Sequence, residues 1–325
     1  MPGLAAVTAR PAPAAKPGFF SRLKSGDQVA YLITLLFAAL VLLIAVLIFY
    51  VLWQQSDLAR QKFGFSFFTS TQWDHNGDNY GALPFIYGTL LTSFLALLFS
   101  VPLGVGAAIF LAELAPPKIS NALTFMVELL AAVPSVIYGL LAIFTLVPLL
   151  RNYVDPALKA AFGFTPLFSG PVYGVGYLAA GAVLAIMTFP FIISVSREAL
   201  LDVPREQREA ALALGATRWE ATWQAVVPYA KLGIMGSIFL GLARALGETM
   251  AVTMVIGNTP KISASLLSSG YTIASVIANE FAEASSDIFR DSLIFLALVL
   301  FLLTIVINGA ARLLIIATTK KGSST

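Results

Sequence analysis

The chain has 325 residues, of which 58% are hydrophobic and only 11% are charged, and its mean hydropathy is +0.85. Soluble domains carry about 25% charged residues, so this composition excludes a soluble protein and predicts an integral membrane protein. The absence of cysteine excludes disulfides and thiolate metal sites, and the single histidine, His75, excludes a multi-histidine metal site. The basic residues behind the net charge of +3 are dispersed, so no nucleic-acid partner is indicated.

The first 28 residues differ in composition from the rest of the chain. Residues 1–28 are rich in Ala and Pro with scattered Arg and Lys, which predicts a disordered tail. We expect the transmembrane domain to cover residues 29–317. A secretory signal is the alternative for the first apolar segment, but that segment is longer than the roughly 7–15 residues of a signal core.

Hydropathy predicts an all-α fold, a polytopic membrane protein with six transmembrane helices. A spanning helix needs roughly 20 mostly apolar residues. Six segments meet this requirement, the fifth despite two charges: 29–53, 85–112, 121–150, 173–196, 232–256 and 291–317.

Two other segments are predicted to lie outside the membrane. Residues 63–84 carry five aromatic side chains, which favour an interfacial belt over a ligand-stacking role: Phe63, Phe65, Phe67, Phe68 and Trp73. Residues 262–279 are uncharged and long enough for a seventh span, but they are rich in Ser and Thr. We therefore predict an amphipathic or re-entrant element shielded by protein.

Basic residues predict the orientation, since cytoplasmic loops carry an excess of Lys and Arg. Thirteen of them lie on the side that holds both termini and the loop 197–231, and six lie on the other side. We therefore expect both termini and this loop in the cytoplasm, and residues 54–84, 151–172 and 257–290 outside.

The loop 197–231 is long, polar and helix-prone, which is unusual between spans. Asp202 is predicted to cap a first helix, and Gly215 is predicted to end it with a positive φ. Thr217, with Glu220 three residues later, predicts a capping box for a second helix. Two short helices at an angle form a knob suited to a groove on a partner; the alternative is an ordinary amphipathic connector.

This stretch resembles the EAA loop of ABC-importer permeases, which reads Glu-Ala-Ala-x3-Gly-x9-Ile-x-Leu-Pro. Five positions match: Glu209, Ala210, Ala211, Gly215 and Pro228. The Ile and Leu of the pattern are replaced by Ala225 and Val227, which remain apolar. The resemblance implies the type I ABC importer permease fold, with a core at about 85–317. It also implies that 197–231 is a coupling loop that docks on a cytoplasmic ATPase subunit.

The chain has no Gly-x4-Gly-Lys-Ser/Thr phosphate loop. ATP hydrolysis is therefore expected on a separate polypeptide, and this chain is expected to be a transport subunit and not an enzyme. We expect no cofactor, metal or catalytic residue on this chain, with ATP and Mg on the partner ATPase.

Charged residues inside predicted spans are the strongest candidates for a substrate site. Arg244 and Glu248 are four residues apart, so a continuous helix would project both from nearly one face. A charge at mid-bilayer costs about 2.5–3.5 kcal/mol on insertion scales, which favours a function. Arg suits an oxyanion, and Glu248 is expected to neutralise Arg244 when substrate is absent. The alternative is an ion pair that only holds helices together.

Glu128 is a second acidic candidate, in the third predicted span. It is either another counter-ion for Arg244 or a residue near the membrane boundary without a function. Pro134 is expected to kink the same helix.

The run Gly-Leu-Ala-Arg-Ala-Leu-Gly-Glu-Thr at 241–249 resembles phosphate-specific permease subunits of bacterial ABC importers. Runs at 83–89 and 128–139 are similar as well, and the resemblance extends from about 64 to 317. It implies four residues that line the substrate pathway: Arg244, Glu248, Thr249 and Glu128.

We therefore expect half of a translocation pathway for inorganic phosphate in the bacterial inner membrane. The resemblance implies four kinds of partner: a second homologous permease subunit, two ATPase subunits, an external phosphate-binding protein and the lipid bilayer. Whether the second permease is a homologue or an identical copy stays open. The nearest alternative is an ABC permease for another oxyanion, such as sulfate or molybdate. An ion-coupled secondary transporter leaves the EAA loop unexplained, and a membrane scaffold leaves the charges unexplained.

Overall fold

A computed structural model describes residues 27–321, with side chains described from 28 to 313. The described residues are mainly helical. The helices are α1 Asp27–Gln55, α2 Asp57–Phe63, α3 Ser66–Thr69, α4 Leu83–Leu114, α5 Pro117–Ala131, α6 Ser135–Phe162, α7 Tyr177–Leu201, α8 Arg205–Ala213, α9 Arg218–Gly247, α10 Met250–Val255, α11 Ile273–Glu280 and α12 Asp287–Lys321. An antiparallel hairpin adds β1 Trp73–Asp74 and β2 Asn79–Tyr80. Turns of π-helix lie within α4 at Phe110–Leu114, within α6 at Ala142–Leu146 and Leu150–Val154, and within α9 at Thr222–Val226.

Six of the described helices are long and apolar enough to cross a membrane, which confirms the predicted number of spans. They are α1, α4, α6, α7, α9 and α12. Four predicted spans each correspond to one observed helix, and two need correction. Residues 1–26 of the predicted tail lie outside the described residues.

The predicted third span, 121–150, has the wrong bounds because the helix breaks at Pro134. Helix α5 ends at Ala131, and Pro134 takes an extended backbone conformation with φ −58° and ψ 141° before α6 begins. Proline lacks an N–H and disfavours a helical conformation of the residue before it. Two separate helices therefore replace the expected kinked one, and Glu128 lies on α5 before the spanning helix.

The predicted fifth span, 232–256, is also divided. Helix α9 begins earlier, at Arg218, and ends at Gly247. Glu248 is extended, with φ −70° and ψ 129°, and the short helix α10 follows. The expected continuous helix through Arg244 and Glu248 is therefore wrong.

The chain divides into two compact units, Met1–Val51 and Leu52–Thr325. The first unit contains most of α1, and the second contains all the other helices and the hairpin. Every site described below belongs to the second unit.

Helix α7 is the central helix of the second unit and packs along α4 and α9. Helices in a membrane associate mainly through close packing, since burial from water does not drive their contact. Small residues at the interface allow the two helix backbones to approach closely. A Cβ atom at Gly181 would lie 2.5 Å from Leu95 Cβ on α4. Between α7 and α9, the buried hydroxyls of Ser196 and Ser237 share a hydrogen bond of 2.7 Å. This packing holds α4, α7 and α9 as one framework.

Residues 257–272 form a non-helical segment that folds back onto the start of α7. The Tyr177 N–H donates to Ser268 O at 3.1 Å, and the Leu178 N–H donates to Leu266 O at 2.8 Å. Helix α11 then begins with a capping box at Thr272. Residues 265–267 and 270–272 are buried by the rest of the protein, as the sequence predicts for this part of the chain, whereas Gly257, Asn258 and Lys261 are exposed. These described residues do not form a seventh span.

The aromatic residues of 63–84 do not form the predicted belt. Phe67 is fully buried and stacks on Phe295, with ring centroids 4.3 Å apart. The Trp73 indole N–H donates to Glu280 Oε2 at 2.8 Å. Burial raises the pKa of the Glu280 carboxyl, and this hydrogen bond opposes the shift. Of the five aromatic residues only Phe65 is exposed, so these side chains mainly fix α3 and the hairpin to α11 and α12.

Candidate functional site

The helices that follow two helix breaks pack against each other, and we call the residues around these breaks the double-break site. One break, Ala132–Pro134, separates α5 from α6, and the other, Glu248–Thr249, separates α9 from α10. Helix α6 touches α10 directly, because a Cβ atom at Gly139 would lie 3.1 Å from Ala251 Cα. Backbone that leaves a helix within a membrane is tolerated where it is buried in protein or lines a water-filled cavity.

Arg244 lies in the last turn of α9, and its side chain is exposed in the isolated chain. No ion pair or hydrogen bond joins it to another residue in the described part of the chain. Arg244 lies within electrostatic range of Tyr138, whose hydroxyl donates to Leu130 O at 2.7 Å. That hydrogen bond joins the first turn of α6 to the end of α5, so Arg244 lies beside the first break.

Glu248 does not pair with Arg244, although both residues are described. Its Oε1 accepts the N–H of Ala251 at 3.3 Å, at the start of α10. A carboxylate is favourable there because the first N–H groups of a helix lack partners within the helix. The expected Arg244–Glu248 ion pair is therefore replaced by a helix cap.

The other two predicted pathway residues are near the same breaks. Thr249 is half-buried, and its hydroxyl donates to Gly247 O at 3.3 Å. Glu128 is exposed on the last turn of α5. Charged side chains such as Glu128 and Arg244 are unstable against hydrocarbon. The surfaces that carry them therefore require water or another protein.

The loop 197–231 forms the helical knob that the sequence predicts. Helix α8 is followed by Gly215 with φ +89°, which confirms the expected positive φ. The capping box is confirmed too: the Glu220 N–H donates to Thr217 Oγ1 at 3.3 Å, and the Thr217 N–H donates to Glu220 Oε2 at 2.8 Å. The predicted cap at Asp202 is wrong, because Asp202 ends α7 and Pro204 precedes α8.

The residues of the Glu-Ala-Ala run lie at the surface of this knob. Glu209 and Ala210 are exposed, Ala211 is half-buried, and Pro228 is exposed on α9. Ala210, Ala211 and Gly215 line an open groove between the two helices. These positions are accessible for docking of another protein.

Three large apolar side chains on the same knob were not predicted as part of its surface. Leu214 is 90% exposed, Trp219 is 55% exposed and Trp223 is 47% exposed. Single exposed apolar side chains are common, but a group of them marks an interaction site, and the Trp219 and Trp223 rings lie 5.6 Å apart. Their occurrence in an otherwise polar loop is the signal that identifies them.

Arg208, just before Glu209, is a further functional residue that no sequence pattern identifies. Its guanidinium contacts both carboxylate oxygens of Glu113 on α4, with Nη2 to Oε1 at 2.7 Å and Nε to Oε2 at 3.1 Å. The two residues are 95 positions apart, so no local pattern links them.

Comparisons with known proteins agree with this geometry. Residues 100–317 match the family described as binding-protein-dependent transport system inner membrane component. The chain is 47% identical over 267 residues to the phosphate transport system permease protein PstC of Xylella fastidiosa, which covers 81% of this chain and 82% of that protein. It is 49% identical over 263 residues to the protein of the same name from Pasteurella multocida, covering 80% and 82% respectively.

A solved structure supports the fold independently. A bacterial ABC transporter involved in the import of the acidic polysaccharide alginate aligns with a TM-score of 0.57 and 18% sequence identity. The alignment covers 90% of this chain and 98% of that one. At this identity the similarity concerns the helical permease fold alone.

Proposed function

The chain belongs to the family of inner membrane components of binding-protein-dependent transport systems. From this premise we propose that it is a permease subunit for the uptake of inorganic phosphate. It is a multi-pass transport subunit and not an enzyme. The observation that carries the proposal is Arg244, a charged residue that is exposed and unpaired among the described residues, beside two helix breaks. Its face would meet a second, related permease subunit, and the pathway would run between the two.

The chemistry of the site supports phosphate. The Arg244 guanidinium is a planar fork of donors that fits two oxygens of an oxyanion. Glu248, Thr249 and Glu128 would line the same pathway. A carboxylate at the pathway accepts a hydrogen bond from the O–H of a protonated phosphate, whereas sulfate at neutral pH has no O–H to donate. The names of the two relatives above also support phosphate over sulfate or molybdate.

Selectivity among oxyanions tests this assignment. Vesicles that contain the co-purified complex are expected to take up labelled phosphate. Unlabelled phosphate in excess should suppress this uptake, while the same excess of sulfate or molybdate should leave it nearly unchanged. If sulfate suppresses uptake as strongly as phosphate does, the assignment of phosphate as the specific substrate is contradicted.

We propose that residues 205–228 couple this chain to a separate ATPase, which binds ATP and Mg. The exposed positions Glu209 and Ala210 and the exposed side chains of Leu214 and Trp219 support a docking surface. Two such ATPase subunits and an external phosphate-binding protein would complete the importer.

We propose that both termini and the loop 197–231 face the cytoplasm, with the phosphate-binding protein on the opposite side. The bias of basic residues supports this orientation. Because the chain has no cysteine, single replacements can be labelled selectively; Lys118 and Lys261 are both exposed. In intact cells stripped of their outer membrane, an impermeant thiol reagent is expected to label Lys261→Cys and to spare Lys118→Cys. The reverse pattern would contradict the orientation.

A further inference from the structure

Arg208 connects α8 to the ends of two membrane-spanning helices. Its Nη2 donates to Glu113 Oε1 and to Leu200 O, each at 2.7 Å. Its Nε donates to Glu113 Oε2 at 3.1 Å, and its Nη1 donates to Val203 O. Glu113 lies in the last turn of α4, and Leu200 lies in the last turn of α7. One guanidinium therefore bonds the knob to α4 and to α7 simultaneously.

This contact is partly shielded from water. The side chain of Arg208 is 22% exposed and that of Glu113 is 10% exposed. Exposed ion pairs contribute little because water and salt screen them, but a shielded pair with several hydrogen bonds is stronger and more directional. The carbonyl of Leu200 at the end of α7 has no partner within its own helix. It accepts the Val203 N–H at 3.3 Å and the Arg208 guanidinium at the shorter distance of 2.7 Å.

Helix α8 also touches the Thr222–Val226 turn near the start of α9, but apolar burial contributes little to holding it. None of the nine described residues of α8 is buried. Glu209, the next residue, is exposed, while Arg208 reaches into the contact with Glu113. Glu209 therefore lies at the proposed docking surface, whereas Arg208 contacts the spans.

We propose that Arg208 is the positioning residue through which movement of α8 reaches α4 and α7, with Glu113 as its receiver. This inference rests on the proposed coupling role of residues 205–228. Fixed, directional hydrogen bonds to two spans make α8, α4 and α7 shift together when a partner displaces α8. Since α7 packs along α9, which carries Arg244, the displacement extends toward the double-break site.

The test is the number of phosphate ions transported per ATP hydrolysed by the complete transporter in proteoliposomes. Arg208→Gln and Glu113→Gln are expected to lower this ratio by at least about fivefold, the lower end of usual allosteric couplings, while the ATPase subunits still co-purify. Arg290→Gln is the matched control. Its ion pair with Asp287 is exposed, 54% and 79% for the two side chains, and its loss is expected to leave the ratio unchanged.

Arg208→Lys separates charge from geometry, because an ammonium keeps the charge but lacks the planar fork. We expect this variant to assemble and to give an intermediate ratio. A parallel decrease of transport and ATP hydrolysis, with an unchanged ratio, would overturn the inference. Loss of assembly in all three variants would also overturn it, because the contact would then serve folding. Failure of the coupling proposal itself gives a different result, since the ATPase would not co-purify with the unaltered chain.

Discussion

Arg244→Gln is expected to abolish phosphate transport without preventing assembly of the complex. Glutamine keeps hydrogen-bond donors but removes the charge that offsets desolvation of an anion. Loss of one partner from a desolvated charge pair costs about 2–5 kcal/mol, which corresponds to a factor of roughly 30 to several thousand. The variant loses no ion pair among the described residues, so the yield of the complex is expected to stay normal. The measurements are phosphate uptake and complex yield.

Glu248→Gln tests the acidic neighbour separately. The amide oxygen of Gln can still accept the Ala251 N–H, so the start of α10 is preserved while the negative charge is lost. We expect impaired transport, by less than in Arg244→Gln. Arg151→Gln is the control, an exposed arginine about 24 Å along α6 from Ser135. If the double variant Arg244→Gln with Glu248→Gln transports phosphate at the normal rate, the assignment of the site is wrong.

Gly215→Pro and Glu209→Lys are each expected to uncouple ATP hydrolysis from transport while the spans stay inserted. Gly215 has φ +89°, whereas proline fixes φ near −65°, so the turn between α8 and α9 cannot form. Glu209→Lys reverses an exposed charge on the proposed docking surface. ATP hydrolysis and phosphate uptake should be measured in the same proteoliposomes.

Gly215→Asn provides the matched control for the turn. Asparagine adopts positive φ more readily than other residues with a side chain, and apart from the two chain neighbours no residue has an atom within 4 Å of a Cβ built at this position. We therefore expect Gly215→Asn to retain most of the coupling. Normal coupled uptake by both Gly215→Pro and Glu209→Lys would show that this loop does not transmit the movement.

Local signals in the sequence predict the knob well. The capping box at Thr217 depends on Glu220 three residues away, and the positive φ at Gly215 depends on the residue itself. The number of spans is also predictable, because it follows from apolar composition over about 20 residues. Each of these features is determined by a short stretch of chain.

The double-break site is harder to predict, because each break involves only a few residues and is hidden when hydropathy is averaged over the length of a span. Averaging over a window of span length merges 121–150 into one segment and hides the break at Pro134. It also merges α9 with α10, so Glu248 is placed on a helix that has already ended at Gly247. The Arg208–Glu113 contact depends on tertiary structure, since it joins positions 95 residues apart. Single-sequence patterns contain no information on that pairing.

The ATP dependence of phosphate accumulation tests the central claim most directly. Proteoliposomes with the complete complex and the binding protein should be given ATP and Mg on the side of the ATPase. We predict that phosphate accumulates on that side only when ATP and Mg are present, and that accumulation persists when ionophores dissipate the ion gradients. Accumulation without ATP that follows an imposed ion gradient and disappears with the ionophore would contradict the account and identify a secondary transporter.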